Sequence, residues 1–77
     1  MNIKTLKEAK RVIRLSGTRI TLWSELLNTY VNVTKADAHV ALAGCWDAEL
    51  GMFLGGLDHD LCVPVSFDPE DKTLHIG

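Results

Sequence analysis

Four residues able to ligate a metal or move a proton, Asp58, His59, Asp60 and Cys62, fall within the run LDHDLCVPVSF. Zinc sites draw their ligands in pairs from two separated clusters, such as two C-x-x-C or H-x-x-x-H units. This chain has no C-x-x-C, and the remaining candidates, His39, Cys45 and His75, stand singly. The run therefore reads as an acidic loop that follows Gly55 and Gly56 and delivers Cys62 to the interior. No metal and no other cofactor is expected.

Thiol catalysis needs a thiolate, a base beside it and a group that orients the base. Cys45 with His39, or Cys62 with His59, supplies the residue types without the geometry. A chain of 77 residues leaves little room for a substrate cleft, and buried packing is the ordinary fate of such cysteines. Phosphate loops and nucleophile elbows are absent, because Gly51, Gly55 and Gly56 lack the flanking strand and the lysine those motifs require. The expectation is a protein that binds and does not catalyse.

Charge distribution is more informative than net charge, which is only −2. Lys4, Lys7, Lys10, Arg11, Arg14, Arg19 and Lys35 all precede residue 45, against three acids, Glu8, Glu25 and Asp37. Beyond it, Lys72 faces Asp47, Glu49, Asp58, Asp60, Asp68, Glu70 and Asp71. Asymmetry of this kind points to charged partners. Gathered on one surface, the later carboxylates would present a field like that of a phosphate backbone and steer the molecule toward basic grooves. Asp58, Asp60, Asp68, Glu70 and Asp71 are the candidates for that contact, with Trp46 or Phe53 as its anchor if either is exposed.

The elements that must position these residues begin with TLKEAKRVIRLSG. Thr5 and Glu8 stand at capping-box spacing, Leu6, Ala9, Val12 and Ile13 share a face, and Gly17 suits a helix stop. The next segment, TRITLWSELLNTYVNV, carries two signals at once. Ile20, Trp23, Leu26, Leu27 and Tyr30 recur at helical spacing, while alternation and β-branched residues argue for strands. A short helix over 20–28 followed by an extended TYVNV is the reading adopted.

Thr34 and Asp37 mark a second helix start, and Gly44 is placed to end it. Apolar spacing continues through Trp46, Leu50, Phe53 and Leu54, so either one helix passes Gly44 or two meet there. LCVPVSF and TLHI form a hairpin around DPEDK, with Pro64 demanding an edge position. The expected fold is α+β: one domain over 1–77, with two or three short helices packed on a small antiparallel C-terminal hairpin or sheet. No apolar run is long enough to span a membrane and the N-terminus lacks the core of a signal peptide, so the expected location is cytoplasmic.

The segment ITLWSELLNTYVNVTKADAHVALAG also resembles a helix-turn-helix, with Asn32 in the turn and VTKADAHVAL as the reading helix. Asn28 stands where that family keeps a small residue, and the reading helix offers Lys35, Asp37 and His39 without an arginine. A small DNA-binding regulator is thus the alternative. A second resemblance is one of style. The short chain, its capped helices, its small hairpin and the strand-to-helix segment TYVNVTKADAHVALAG resemble the small accessory proteins of phages and mobile elements, anti-CRISPR proteins among them. That resemblance implies stoichiometric inhibition of a nucleic-acid-handling complex, through a protein partner with a basic nucleic-acid-binding surface.

Overall fold

The computed structural model describes residues 1–54 and 63–77. Helix α1, Leu6–Ile13, starts where its cap requires: Thr5 is extended and its hydroxyl accepts the Glu8 amide at 3.1 Å. Ala9, Val12 and Ile13 are buried, while Lys7, Arg11 and Arg14 stay exposed. The helix ends before Gly17, which adopts φ +80 in the turn beyond it, and the Val12 carbonyl accepts both the Leu15 amide at 3.1 Å and the Thr18 hydroxyl at 3.2 Å.

The helix expected over 20–28 is instead a β-hairpin. Strands β1, Arg19–Ser24, and β2, Thr29–Asn32, pair antiparallel with Trp23 opposite Tyr30 and Leu22 opposite Val31. Ser24 accepts the Leu27 amide at 3.2 Å, and Asn28 closes the turn at φ +53, a conformation asparagine tolerates better than most residues. The helix-turn-helix reading falls with it, because its first helix is this hairpin and Asn32 lies in a strand.

Helix α2, Lys35–Cys45, is capped by Thr34, whose hydroxyl accepts the Asp37 amide at 3.1 Å. Gly44 lies within its last turn, and the helical spacing beyond it is not used. Trp46–Asp47 (β3) and Met52–Phe53 (β4) form a two-stranded hairpin, with Asp47 Oδ1 accepting the Glu49 and Leu50 amides at 3.0 Å each and Gly51 at φ +65. Asp47 and Gly51 are turn formers, and they overrode the apolar period.

The C-terminal hairpin forms as expected from β5, Val65–Asp68, and β6, Thr73–Ile76, but it does not stand alone. Strand β6 also pairs parallel with β1, giving one mixed sheet in the order β2-β1-β6-β5. Pro64 precedes β5 and so never interrupts its ladder. The outer edge of β5 is itself covered, since Ile3 donates to the Val65 carbonyl and Phe67 to the Met1 carbonyl, both at 2.8 Å. Alternation sends Ile20, Val65, Phe67, Leu74 and Ile76 to the face where they pack with Ala9, Ile13, Ala38 and Leu42. The other face of the sheet carries none of these core side chains.

Candidate interaction surface

Strand register places the residues of that second face in rows across the sheet. Asn32, Thr21, His75 and Ser66 are successive partners and form a polar row. Thr21 Oγ1 and His75 Nδ1 lie 2.7 Å apart, so this pair is hydrogen-bonded across the parallel ladder. One step toward the β1–β2 turn, Trp23 and Tyr30 pack edge to face with ring centroids 5.1 Å apart. Tyr30 meets His75 in the same way at 5.5 Å, and its hydroxyl donates to the Gly77 carbonyl at 2.7 Å. These contacts hold the rings in fixed orientations, yet Trp23 and Tyr30 keep 39% and 44% of their surface exposed. Gly77 is needed beside them, because a Cβ there would stand 2.9 Å from Trp23 Cβ.

The row at the other end, Arg19, Thr73 and Asp68, is charged and leads into the β5–β6 turn. Because β1 and β6 are parallel, this turn and the β1–β2 turn lie at opposite ends of the sheet. At the β1–β2 end, Leu26 is 94% and Leu27 63% exposed, beside the aromatic pair. Single exposed apolar residues are unremarkable, but two leucines and two aromatics are exposed on this one hairpin.

Of the residues expected to form one acidic contact with an aromatic anchor, the described acids, Asp68, Glu70 and Asp71, share the β5–β6 turn, and Phe53 is not exposed to serve as the anchor. Asp68 is committed to its turn, where Oδ1 accepts the Glu70 amide at 3.0 Å and the Asp71 amide at 3.3 Å. Glu70 and Asp71 are exposed on that turn. Phe53 is buried and Trp46 half-buried against it, ring centroids 4.9 Å apart, so Phe53 is a core residue and not an anchor. Asp58 and Asp60, with His59 and Cys62, lie outside the described residues. The exposed aromatics are Trp23 and Tyr30, which the helical reading of 20–28 concealed. Alternation in RITLWS and TYVN was the signal that could have found them.

Among the described residues, the basic groups of α1 lie along that helix and the Cys45 thiol is half-buried away from them. Lys7, Lys10, Arg11 and Arg14 border a surface depression along α1, formed by one helix with Thr5 and Glu8. Burial pushes the Cys45 thiol up from its ordinary value, with a backbone hydrogen bond pulling slightly the other way. Cys45 is therefore held as a neutral thiol, its Sγ 3.5 Å from the Leu42 carbonyl. Among the described residues, no three His, Cys, Asp or Glu side chains are grouped to hold a metal ion, and no helix is long and apolar enough to cross a membrane. The chain matches no known family model, no curated protein and no solved structure.

Proposed function

We propose that the protein is a non-catalytic module that binds another protein, in the cytoplasm, through the β1–β2 hairpin. The observation that carries this reading is the exposure of Leu26 and Leu27 beside the ordered Trp23–Tyr30 pair. Rigid aromatics are typical interface anchors, since they bury much apolar area at small entropic cost, and exposed leucines on the same hairpin add apolar contact area. Glu70 and Asp71 would act at a distance, steering the encounter with a basic partner surface and adding little to the bound state. A stoichiometric inhibitor or adaptor of a nucleic-acid-handling complex fits such a module. Capture on immobilised protein tests it: the wild-type chain should retain a stoichiometric partner, and Leu26→Asp/Leu27→Asp should lose it with an unchanged circular dichroism spectrum and melting temperature. Equal retention by both proteins would refute the hairpin as the anchor.

A second reading is favoured by Trp23, Tyr30 and His75, whose rings pack in sequence on the sheet face opposite the core. Single-stranded nucleic acids are bound on such faces by stacking bases on exposed rings. Arg19 at the charged end and Asn32 and Thr21 in the polar row could add phosphate and base contacts. This reading leaves Leu26 and Leu27 without a role, which places it second. Salt-dependent retention of single-stranded oligonucleotides, abolished by Trp23→Ala and indifferent to the leucines, would promote it above the first.

A further inference from the structure

The turn that leaves α1 and the turn between β5 and β6 border one groove of about 330 Å³. Leu15, Phe67 and Pro69 give it apolar walls, Ser16 and Thr18 two hydroxyls, and Lys72 one ammonium. A volume of that order is the lower end for small-molecule pockets, which combine apolar walls with a few polar groups that fix orientation. The groove stands at the opposite end of the sheet from the β1–β2 hairpin.

Most of its lining is fixed in advance. Phe67 is buried and packs in the core. Thr18 donates its hydroxyl to the Val12 carbonyl and its amide to the Leu15 carbonyl, at 3.2 and 3.3 Å, which ties the turn after α1 in place. Pro69 has its φ preset by its ring. Leu15, by contrast, keeps half of its surface in water.

Lys72 is the informative member. Its φ is +52, a left-handed conformation that lysine enters at a cost and that glycine or asparagine adopts more easily. The fold needs the conformation, because the Lys72 carbonyl accepts the Arg19 amide at 2.8 Å where β6 begins to pair with β1. It does not need lysine. The matching position of the β1–β2 turn holds Asn28 at φ +53. Strained residues of this kind cluster at ligand clamps and similar sites, and here the strained residue is the one that brings a charge to the groove.

Size, wall chemistry and charge together define the ligand. The apolar walls take a hydrocarbon body, and the Lys72 ammonium takes a carboxylate through a charge-assisted hydrogen bond, to which the Ser16 hydroxyl is able to donate as well. A cationic head group would meet Lys72 as a like charge. Glu70 and Asp71 are exposed on the same turn but do not line the groove, so water and salt screen them from its contents. The volume suits one small molecule and not a segment of a folded partner.

We propose that this groove binds a small monocarboxylate with an apolar body, its carboxylate on Lys72 and its hydrocarbon against Leu15, Phe67 and Pro69. This goes beyond the partner-binding reading and stands independently of it, since no residue of the hairpin takes part.

The test titrates the isotope-labelled full chain with hydrocinnamate, with its neutral isostere hydrocinnamamide and with the cation phenylpropylamine, followed by amide chemical shifts. Hydrocinnamate should move the Leu15, Ser16, Phe67 and Lys72 amides saturably, with a Kd of about 1 mM or below. The amide and the amine should bind at least about tenfold more weakly, the scale of a hydrogen bond to a charged group. Lys72→Gly relieves the left-handed lysine and should bring hydrocinnamate down to the level of the amide. Lys72→Asn, also at ease in that conformation, should do the same. Leu15→Ser removes an exposed wall and should weaken the acid and the amide by the same factor. Equal binding of acid, amide and amine, undiminished binding of hydrocinnamate by either folded Lys72 variant, shifts confined to residues outside the groove, or no saturation up to about 10 mM would each overturn the proposal. Partner capture by the Leu26→Asp/Leu27→Asp protein reports on the hairpin alone, so the two readings fail separately.

Discussion

The two turns at opposite ends of the sheet are built by the same device and carry opposite surfaces. In each, a polar side chain at the end of the incoming strand accepts amides from the turn: Ser24 from Leu27, and Asp68 from Glu70 and Asp71. In each, the residue before the return strand is left-handed, Asn28 at φ +53 and Lys72 at φ +52. At the β5–β6 turn the side chains between are Pro69, which presets its φ, and Glu70 and Asp71, which water solvates well. At the β1–β2 turn they are Glu25, likewise solvated, and Leu26 and Leu27, whose side chains contribute no hydrogen bond to the turn and leave apolar surface in water. The difference locates the unexplained investment of the sequence at the hairpin, and this is why the binding anchor is assigned there and not to the acidic end.

The largest effect expected from this contrast is at the hairpin. Trp23→Ala should weaken partner binding by about 30-fold, or 2 kcal/mol, the scale of a hot-spot aromatic. Loss of its edge-to-face contact with Tyr30 should cost the free protein only about 0.5–1.5 kcal/mol. Trp23→Phe separates the two, because it retains a ring for Tyr30 but less contact area. Isothermal titration with the captured partner and urea denaturation of the free protein read the two quantities. Binding unaffected by Trp23→Ala would move the anchor elsewhere.

Next in size is a purely structural effect at the acidic turn. Asp68→Ala removes the acceptor for two turn amides and should destabilise the protein by about 1–2 kcal/mol in urea denaturation, with partner affinity preserved. Asp68→Asn keeps the acceptor oxygen and should recover most of that loss. Were Asp68 a binding carboxylate, Asn would fail to rescue and affinity would fall instead.

What could be read from the sequence divides along the same line between local and non-local causes. The caps at Thr5 and Thr34 and the turn at DPEDK were legible because each is decided within four residues. The segment 20–28 was misread because Ile20, Trp23, Leu26, Leu27 and Tyr30 satisfy a helical period while doing unrelated work: Ile20 is in the core, Trp23 and Tyr30 are on the open face, and the leucines are at the tip. The strands 46–47 and 52–53 are too short to show any period. Pairing of β1 with β6, which joins Thr21 to His75 across 54 residues, has no local signature at all. Alternation in RITLWS sets Trp23 on the face of Arg19 and Thr21, whereas the two-residue strand that holds Phe53 offers no such signal. Whether that face is open depends on which face of the sheet the helices cover.

A smaller effect distinguishes the left-handed residues of the two turns. Lysine at φ +52 is strained and asparagine at +53 is much less so. Lys72→Gly should therefore stabilise the protein by up to about 1 kcal/mol, and Asn28→Gly should change it by only a few tenths. Paired thermal melts check this. An equal gain at both sites would mean that the turns are held alike by their surroundings and not by their own residues.

The smallest equilibrium effect belongs to the exposed acids, and it decides what the acidic end is for. Glu70 and Asp71 are fully available on the surface, and their amides, not their carboxylates, serve the turn. Glu70→Lys/Asp71→Lys should thus leave stability within about 0.5 kcal/mol. If these carboxylates steer a basic partner, the double reversal should slow association at low salt, and the difference from wild type should shrink as ionic strength approaches 1 M, where the Debye length is about 3 Å. Dissociation should hardly change, because steering acts before contact. Stopped-flow association at several salt concentrations reads both rates. A reversal that speeds dissociation would place the acids inside the interface, which the opposite placement of the two turns does not allow for one partner of modest size. A reversal that changes neither rate would reduce the acidic turn to a solvating one and leave the hairpin as the whole of the binding surface.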